Sequence, residues 1–189
     1  MVRRYCAANR LNRLGTLTYA GAGCHEPRVL RDDLAGFFRR LRGSIGEPFP
    51  YLWAPEWHPG GHGLHVHFAV GRWIPQGDIK RAWGRGHVHI KLLGDLPVGS
   101  GTLGEARLAA RYLAKYVGKD LGAGGQPVGL HRYEVAQGFQ PRGVPIEGRS
   151  SDEVLEWAEV FMDAPPERIW SSRDAENWMA PPAVWAEWR

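Results

Sequence analysis

The period of the apolar positions changes several times along the chain, and each change marks an element. Thr16-Leu17-Thr18-Tyr19 reads as a first strand, bounded by Gly15 and by Gly21-Ala22-Gly23. Leu30, Leu34, Phe37, Phe38 and Leu41 then recur at helical spacing, with Arg31, Arg39, Arg40 and Arg42 on the other face. Gly43 and Gly46 are expected to end that helix. Phe49 to His58 and Leu64 to Val70 read as strands joined by the turn Pro59-Gly60-Gly61-His62-Gly63, so 49–70 predicts a hairpin. Gln76 to Trp83 predicts a short helix and Gly86 to Leu93 a fourth strand. Gly104 to Leu121 predicts a longer helix, closed by Gly122 and Gly124-Gly125, and His131 to Phe139 a fifth strand. The order β-α-β-β-α-β-α-β predicts an α+β fold: one five-stranded antiparallel sheet with helices mainly on one face.

Beyond Pro141 the pattern shifts. Ser151 to Met162 predicts an acidic amphipathic helix with Val154, Leu155, Ala158 and Phe161 as its apolar stripe. A segment rich in proline and tryptophan follows, holding Trp170, Trp178, Trp185 and Trp188. The expected organisation is a domain over 1–145 and an extension over 146–189 that packs on it, since so many indoles are poorly suited to open solvent.

Composition narrows the class. With 43% hydrophobic residues in 189, the chain can bury a real core, which excludes global disorder. It has no apolar run long enough for a membrane helix, no apolar stretch behind its basic start to make a secretory signal, and only Cys6 and Cys24. The expectation is a cytoplasmic protein with no membrane partner. The net charge of +4 is unevenly spread: residues 1–43 carry +6, 44–120 carry +3, and 121–189 carry −5. A basic front points to an anionic partner. Arginine outnumbers lysine 20 to 4, which suits bidentate phosphate contacts.

Six of the eight histidines fall between positions 58 and 89. In Leu64-His65-Val66-His67-Phe68-Ala69-Val70, strand alternation puts the four large apolar residues on one face and His65, His67 and Ala69 on the other. Two imidazoles two residues apart on one face can grip one divalent ion. Glu56 and His58 share a parity on the preceding strand. A register with His58 opposite His65 sets Glu56 opposite His67, giving a His-His-Glu or His-His-His set. Glu56 is the preferred third ligand, with His58 as the alternative and His62 nearby. Such a set suits Mg²⁺, Mn²⁺ or Zn²⁺. His87 and His89 repeat the spacing, but Lys91 shares their face and disfavours a cation there.

On the helix over 104–121, Ala106, Ala109, Ala110, Leu113 and Val117 form a packing stripe. Tyr112 and Tyr116 are one helical turn apart, and each is followed three residues on by a lysine, Lys115 and Lys119.

Three of these features stand in a telling order. Gly15-Thr16-Leu17-Thr18-Tyr19, Leu64-His65-Val66-His67-Phe68, and the segment Tyr112 to Lys119 together resemble the HUH endonucleases, specifically the rolling-circle replication initiators (Rep proteins) of plasmids and phages with paired tyrosines. The resemblance covers roughly residues 14–140. It implies a ferredoxin- or RRM-like sheet and a divalent ion on the histidine pair. It also implies attack by a tyrosine on single-stranded DNA at a replication origin, leaving a covalent 5′-phosphotyrosine and a free 3′-OH. Tyr112 is then the expected first nucleophile and Tyr116 the second, with Lys115 and Lys119 steadying charge. Arg3, Arg4, Arg39, Arg40 and Arg111 are expected to hold DNA phosphates. The chain has no Walker-type Gly-x-x-x-x-Gly-Lys-Ser/Thr stretch, so unwinding is expected from a separate helicase. Two alternatives stand beside this reading: a two-tyrosine transposase or relaxase of the same superfamily, and a non-catalytic RRM-like module that binds single-stranded nucleic acid.

Overall fold

The computed structural model describes residues 2–92, 108, 110–111 and 131–188. Five strands form one sheet in the order β4-β1-β3-β2-β5: β1 (Arg13–Tyr19), β2 (Tyr51–Trp57), β3 (Leu64–Val70), β4 (Gly86–Leu92) and β5 (Glu134–Val135). Every neighbouring pair is antiparallel, so the fold is the expected α+β with a five-stranded antiparallel sheet. The central strand β3 is buried along its whole length.

Strand alternation splits the side chains between two layers. Leu64, Val66, Phe68 and Val70 pack under α2 (Pro27–Ile45), through Leu30, Leu34, Phe37, Phe38 and Leu41, and under α3 (Gln76–Trp83), through Ile79 and Trp83. Helix α2 runs through Gly43 and stops at Gly46, whose φ of 85° is open to glycine and whose N–H closes on the Arg42 carbonyl. Packing requires Gly15 on β1, since a Cβ there would collide with the Phe68 ring.

The opposite face carries a second, smaller core of Leu14, Leu52 and Ala69, joined by Ala110, Leu11 and α1 (Val2–Ala8). Helix α1 is absent from the sequence expectation. Seven residues are too few to hold a helix alone; α1 persists because Val2, Tyr5 and Cys6, on one stripe, are buried against the sheet. Strand β5 is shorter than the expected 131–139. It pairs only with Leu52 and Trp53 of β2, and two residues further on β2 carries Pro55, which has no N–H to offer a neighbour.

A polar tie fixes the end of β1. The buried Asp33 of α2 accepts the Tyr19 hydroxyl at 2.8 Å and pairs with Arg85 at 2.6 Å. The Trp83 indole N–H donates to the Thr18 carbonyl at 3.2 Å.

The chain divides into two compact units, Met1–Pro141 and Arg142–Arg189. In the second, α4 (Ser151–Met162) forms where expected and opens on a side-chain N-cap: Ser150 accepts the Glu153 N–H at 3.1 Å, and the Glu153 carboxylate accepts the N–H of Arg149, the residue before the cap, at 2.6 Å. The tryptophan-rich segment is a hairpin of β6 (Arg168–Ser171) and β7 (Val184–Glu187), with Trp170 opposite Trp185 and packed edge-on against Trp178 at 5.2 Å. No helix among the described residues is long and apolar enough to cross a membrane.

The Gly15–Phe68 approach yields a stability test. Gly15→Val should destabilise by about 1–3 kcal/mol through overpacking. Urea unfolding should show a lower midpoint at an unchanged slope.

Candidate metal centre

The site begins with the parity of β2 and β3. Glu56 lies directly opposite His65, and Ala54 opposite His67. This register is displaced by two residues from the expected one, in which His58 faces His65. A shift of two keeps every side chain on its face, so Glu56 still projects beside both imidazoles. The small Ala54 leaves the space over His67 into which the Glu56 carboxylate leans.

The three side chains converge on one point. Oε2 of Glu56 lies 3.2 Å from Nε2 of His65 and 3.0 Å from Nε2 of His67, and the two Nε2 atoms are 3.1 Å apart. Ligand bonds of about 2.1 Å separate neighbouring donors by about 3.0 Å at octahedral angles and about 3.4 Å at tetrahedral ones. The observed edges suit a single divalent ion. Among the described residues this is the one cluster of three or more His, Cys, Asp or Glu that can hold a metal. Three protein donors leave further coordination positions for water or a phosphate oxygen.

Electrostatics keep the donors available. Burial, reinforced by His67, pushes His65 down to about 4, against the smaller opposing pull of Glu56. His65 is therefore neutral at physiological pH, with a lone pair to give. His67 is oriented through its other nitrogen: Nδ1 lies 3.3 Å from the Thr16 hydroxyl on β1. Nδ1 of His65 is buried and has no hydrogen-bond partner among the described residues.

His58, the alternative third ligand, is not part of the triangle. Its ring packs 5.5 Å from that of His65, and its Nδ1 accepts the Gly60 N–H at 3.1 Å within the turn. His62 contacts the Tyr19 carbonyl at 3.1 Å. His87 and His89 are exposed on β4 and acquire no third ligand among the described residues.

The arginines separate by layer. Arg3 and Arg4 are exposed on α1, which packs on the metal-bearing face, and Arg111 is exposed next to the buried Ala110 of the same layer. Arg39 and Arg40 lie behind the sheet, because the apolar stripe of α2 docks on the other face; Arg40 donates to the Ala82 carbonyl at 2.8 Å. Tyr112, Lys115, Tyr116 and Lys119 lie outside the described residues. Thr16 is the site residue that strand patterning passed over. The signal was its parity with His67, which becomes readable only once β1 and β3 are known neighbours.

Fold and site together define a class: an α+β protein whose antiparallel sheet carries a two-histidine, one-carboxylate cluster fit for a divalent ion, on the face turned away from α2 and α3. Residues 12–121 match the family of the Replication-associated protein ORF2, which is more than half of the chain, and the chain belongs to that family. Membership points to a role in replication initiation. No curated protein and no solved structure matches the chain.

Two outcomes test the cluster. His65→Ala should abolish Mn²⁺ binding in calorimetry, while Thr16→Val should weaken it roughly 10-fold by releasing the His67 ring. The metal-free protein should lose stability as pH falls from about 6.5 towards 4. In that window the unfolded chain takes a proton on His65 that the folded chain refuses. Denaturation midpoints across the range should show the loss, and His65→Ala should flatten it.

Proposed function

We propose that this protein is an HUH-type endonuclease that nicks and rejoins single-stranded DNA through a covalent 5′-phosphotyrosine and so initiates rolling-circle replication. The observation that carries this reading is the convergence of Glu56, His65 and His67 on one sheet face, in a chain of the replication-associated family. Glu56, His65 and His67 would hold a divalent ion, which when bound would supply Lewis-acid polarisation of the scissile phosphate.

The chain's own residues do the rest. Tyr112 loses its phenolic proton, and its oxygen attacks the scissile phosphorus. As the Tyr O–P bond forms the P–O3′ bond breaks, the 3′ oxygen of the upstream fragment takes up a proton, and the 5′-phosphate of the downstream fragment becomes esterified to the tyrosine. Tyr116, four residues on in the sequence, serves the second transfer that closes the displaced strand. Lys115 and Lys119 offset the charge that builds on phosphate and phenolate. Two observations support this division of labour. Ala110, two residues before Tyr112, is buried in the cluster built on Ala69, on the face that carries the histidines. And three of the six tyrosines are unsuited to attack. Burial and the Asp33 hydrogen bond push the Tyr19 phenol well above its usual range, burial pushes Tyr5 up to about 12, and burial also raises Tyr51.

Tyr112 is the better first nucleophile, since Arg111 and Lys115 flank it in the sequence, and a helix over 104–121, as the sequence predicts, would bring its negative C-terminal end nearer to Tyr116. Incubation with labelled single-stranded origin oligonucleotides and Mn²⁺, followed by denaturing gels and peptide mapping, should give an adduct on Tyr112. Tyr112→Phe should cut first-round cleavage by about 100-fold or more, and Tyr116→Phe should block mainly the second transfer. An adduct on neither tyrosine refutes the nuclease reading.

A further inference from the structure

We infer that the outer strand β4 carries a phosphate-binding strip, His87, His89 and Lys91, that grips single-stranded DNA beside the metal cluster. The inference rests on the nuclease reading and adds a binding site to it. The register supplies the geometry. His89 pairs with Thr16, and Thr16 pairs with His67, so these three residues form one row across β4, β1 and β3. Directly paired residues point to the same face, so His89 stands on the metal-bearing face, two strands and about 10 Å from His67. His87 pairs with Thr18 and Lys91 with Leu14, which puts both on that face as well.

The chemistry of the strip suits an anion. His87, His89 and Lys91 are all exposed, whereas His65 and His67 are buried. Among the described residues the three have no hydrogen-bond or ion-pair partner. An imidazole N–H donates to a phosphate oxygen in either charge state of the ring, and Lys91 brings a full positive charge. Neither β1 nor β4 contains a carboxylate that would repel a phosphate. Among the described residues, what lies between the strip and the metal cluster is the half-buried pair of hydroxyls of Thr16 and Thr18 on β1, a low floor over which an extended strand can pass. The same lysine that makes His87 and His89 a poor cation site makes them a good anion site.

The test is anisotropy titration of a labelled single-stranded oligonucleotide over a range of salt, with Mn²⁺ calorimetry and adduct formation measured on the same proteins. His87→Ala/His89→Ala should weaken DNA binding about tenfold or more. Lys91→Ala should weaken it and lower the log–log salt slope by about 0.7. All variants should still bind one Mn²⁺ at Glu56, His65 and His67, which also shows that they fold. If the wild-type protein binds and forms adduct while the variants keep its affinity and slope, the strip is overturned and the nuclease reading stands. If the double variant loses a Mn²⁺ ion relative to wild type, the pair is a metal site and the strip is overturned. If the wild-type protein neither binds the oligonucleotide nor forms adduct, both fall.

Discussion

The structure depends on a strand that is buried on both faces and alternates two kinds of side chain. Every second residue of β3 is large and apolar, and Val66, Phe68 and Val70 lock the sheet to α2. The residues between them are His65, His67 and Ala69, held at the same depth but on the opposite face. The core that fixes β3 therefore also fixes the imidazoles. Burial keeps His65 neutral, and a neutral imidazole with restricted rotamers is a prepared donor that needs no reorganisation to meet an ion.

The two faces of the sheet do different work. The back, under α2 and α3, is apolar and aromatic. Phe37, Phe38, Phe68 and Trp83 meet edge to face there, and the buried Asp33 ties Tyr19 and Arg85 to close the layer. The front is partitioned along its strands. Leu14, Leu52 and Ala69 fill one end and are capped by α1 and Ala110, while Glu56, His65, His67 and Thr16 occupy the next positions along the same strands. An apolar cap directly beside a polar cluster lowers the local dielectric and strengthens charge interactions at the open edge.

This partition assigns different meanings to basic residues that look alike in the sequence. Arg39 and Arg40 of α2 fall behind the sheet, where Arg40 braces α3 and Arg39 is exposed, while Arg31 pairs with Glu134 of β5 at 3.6 Å. Arg3, Arg4 and Arg111 belong to elements on the front. Charge density along a chain identifies a basic region; the face on which the partner helix's apolar stripe docks decides on which side of the sheet each of those charges stands.

Much was determined by the sequence itself. The period-two alternation of 64–70 fixed which residues of β3 share a face, and the apolar stripe of 30–41 fixed α2, because both patterns are local and large. The pairing of Glu56 with the two histidines was also legible, since it needed only parity, and parity survives the two-residue difference in hairpin register. What the chain alone left open was everything set by distant partners. Helix α1 exists because Val2, Tyr5 and Cys6 find Leu14, Leu52 and Ala69. Strand β5 is two residues long because β2 pairs with it no further. His58 was set aside when the turn engaged its ring. Thr16 joined the site because β1 lies between β3 and β4. Alternation and helical spacing are properties of neighbouring residues. Strand order, docking face and burial are set by contacts across tens of residues, and those contacts exist only in the folded chain.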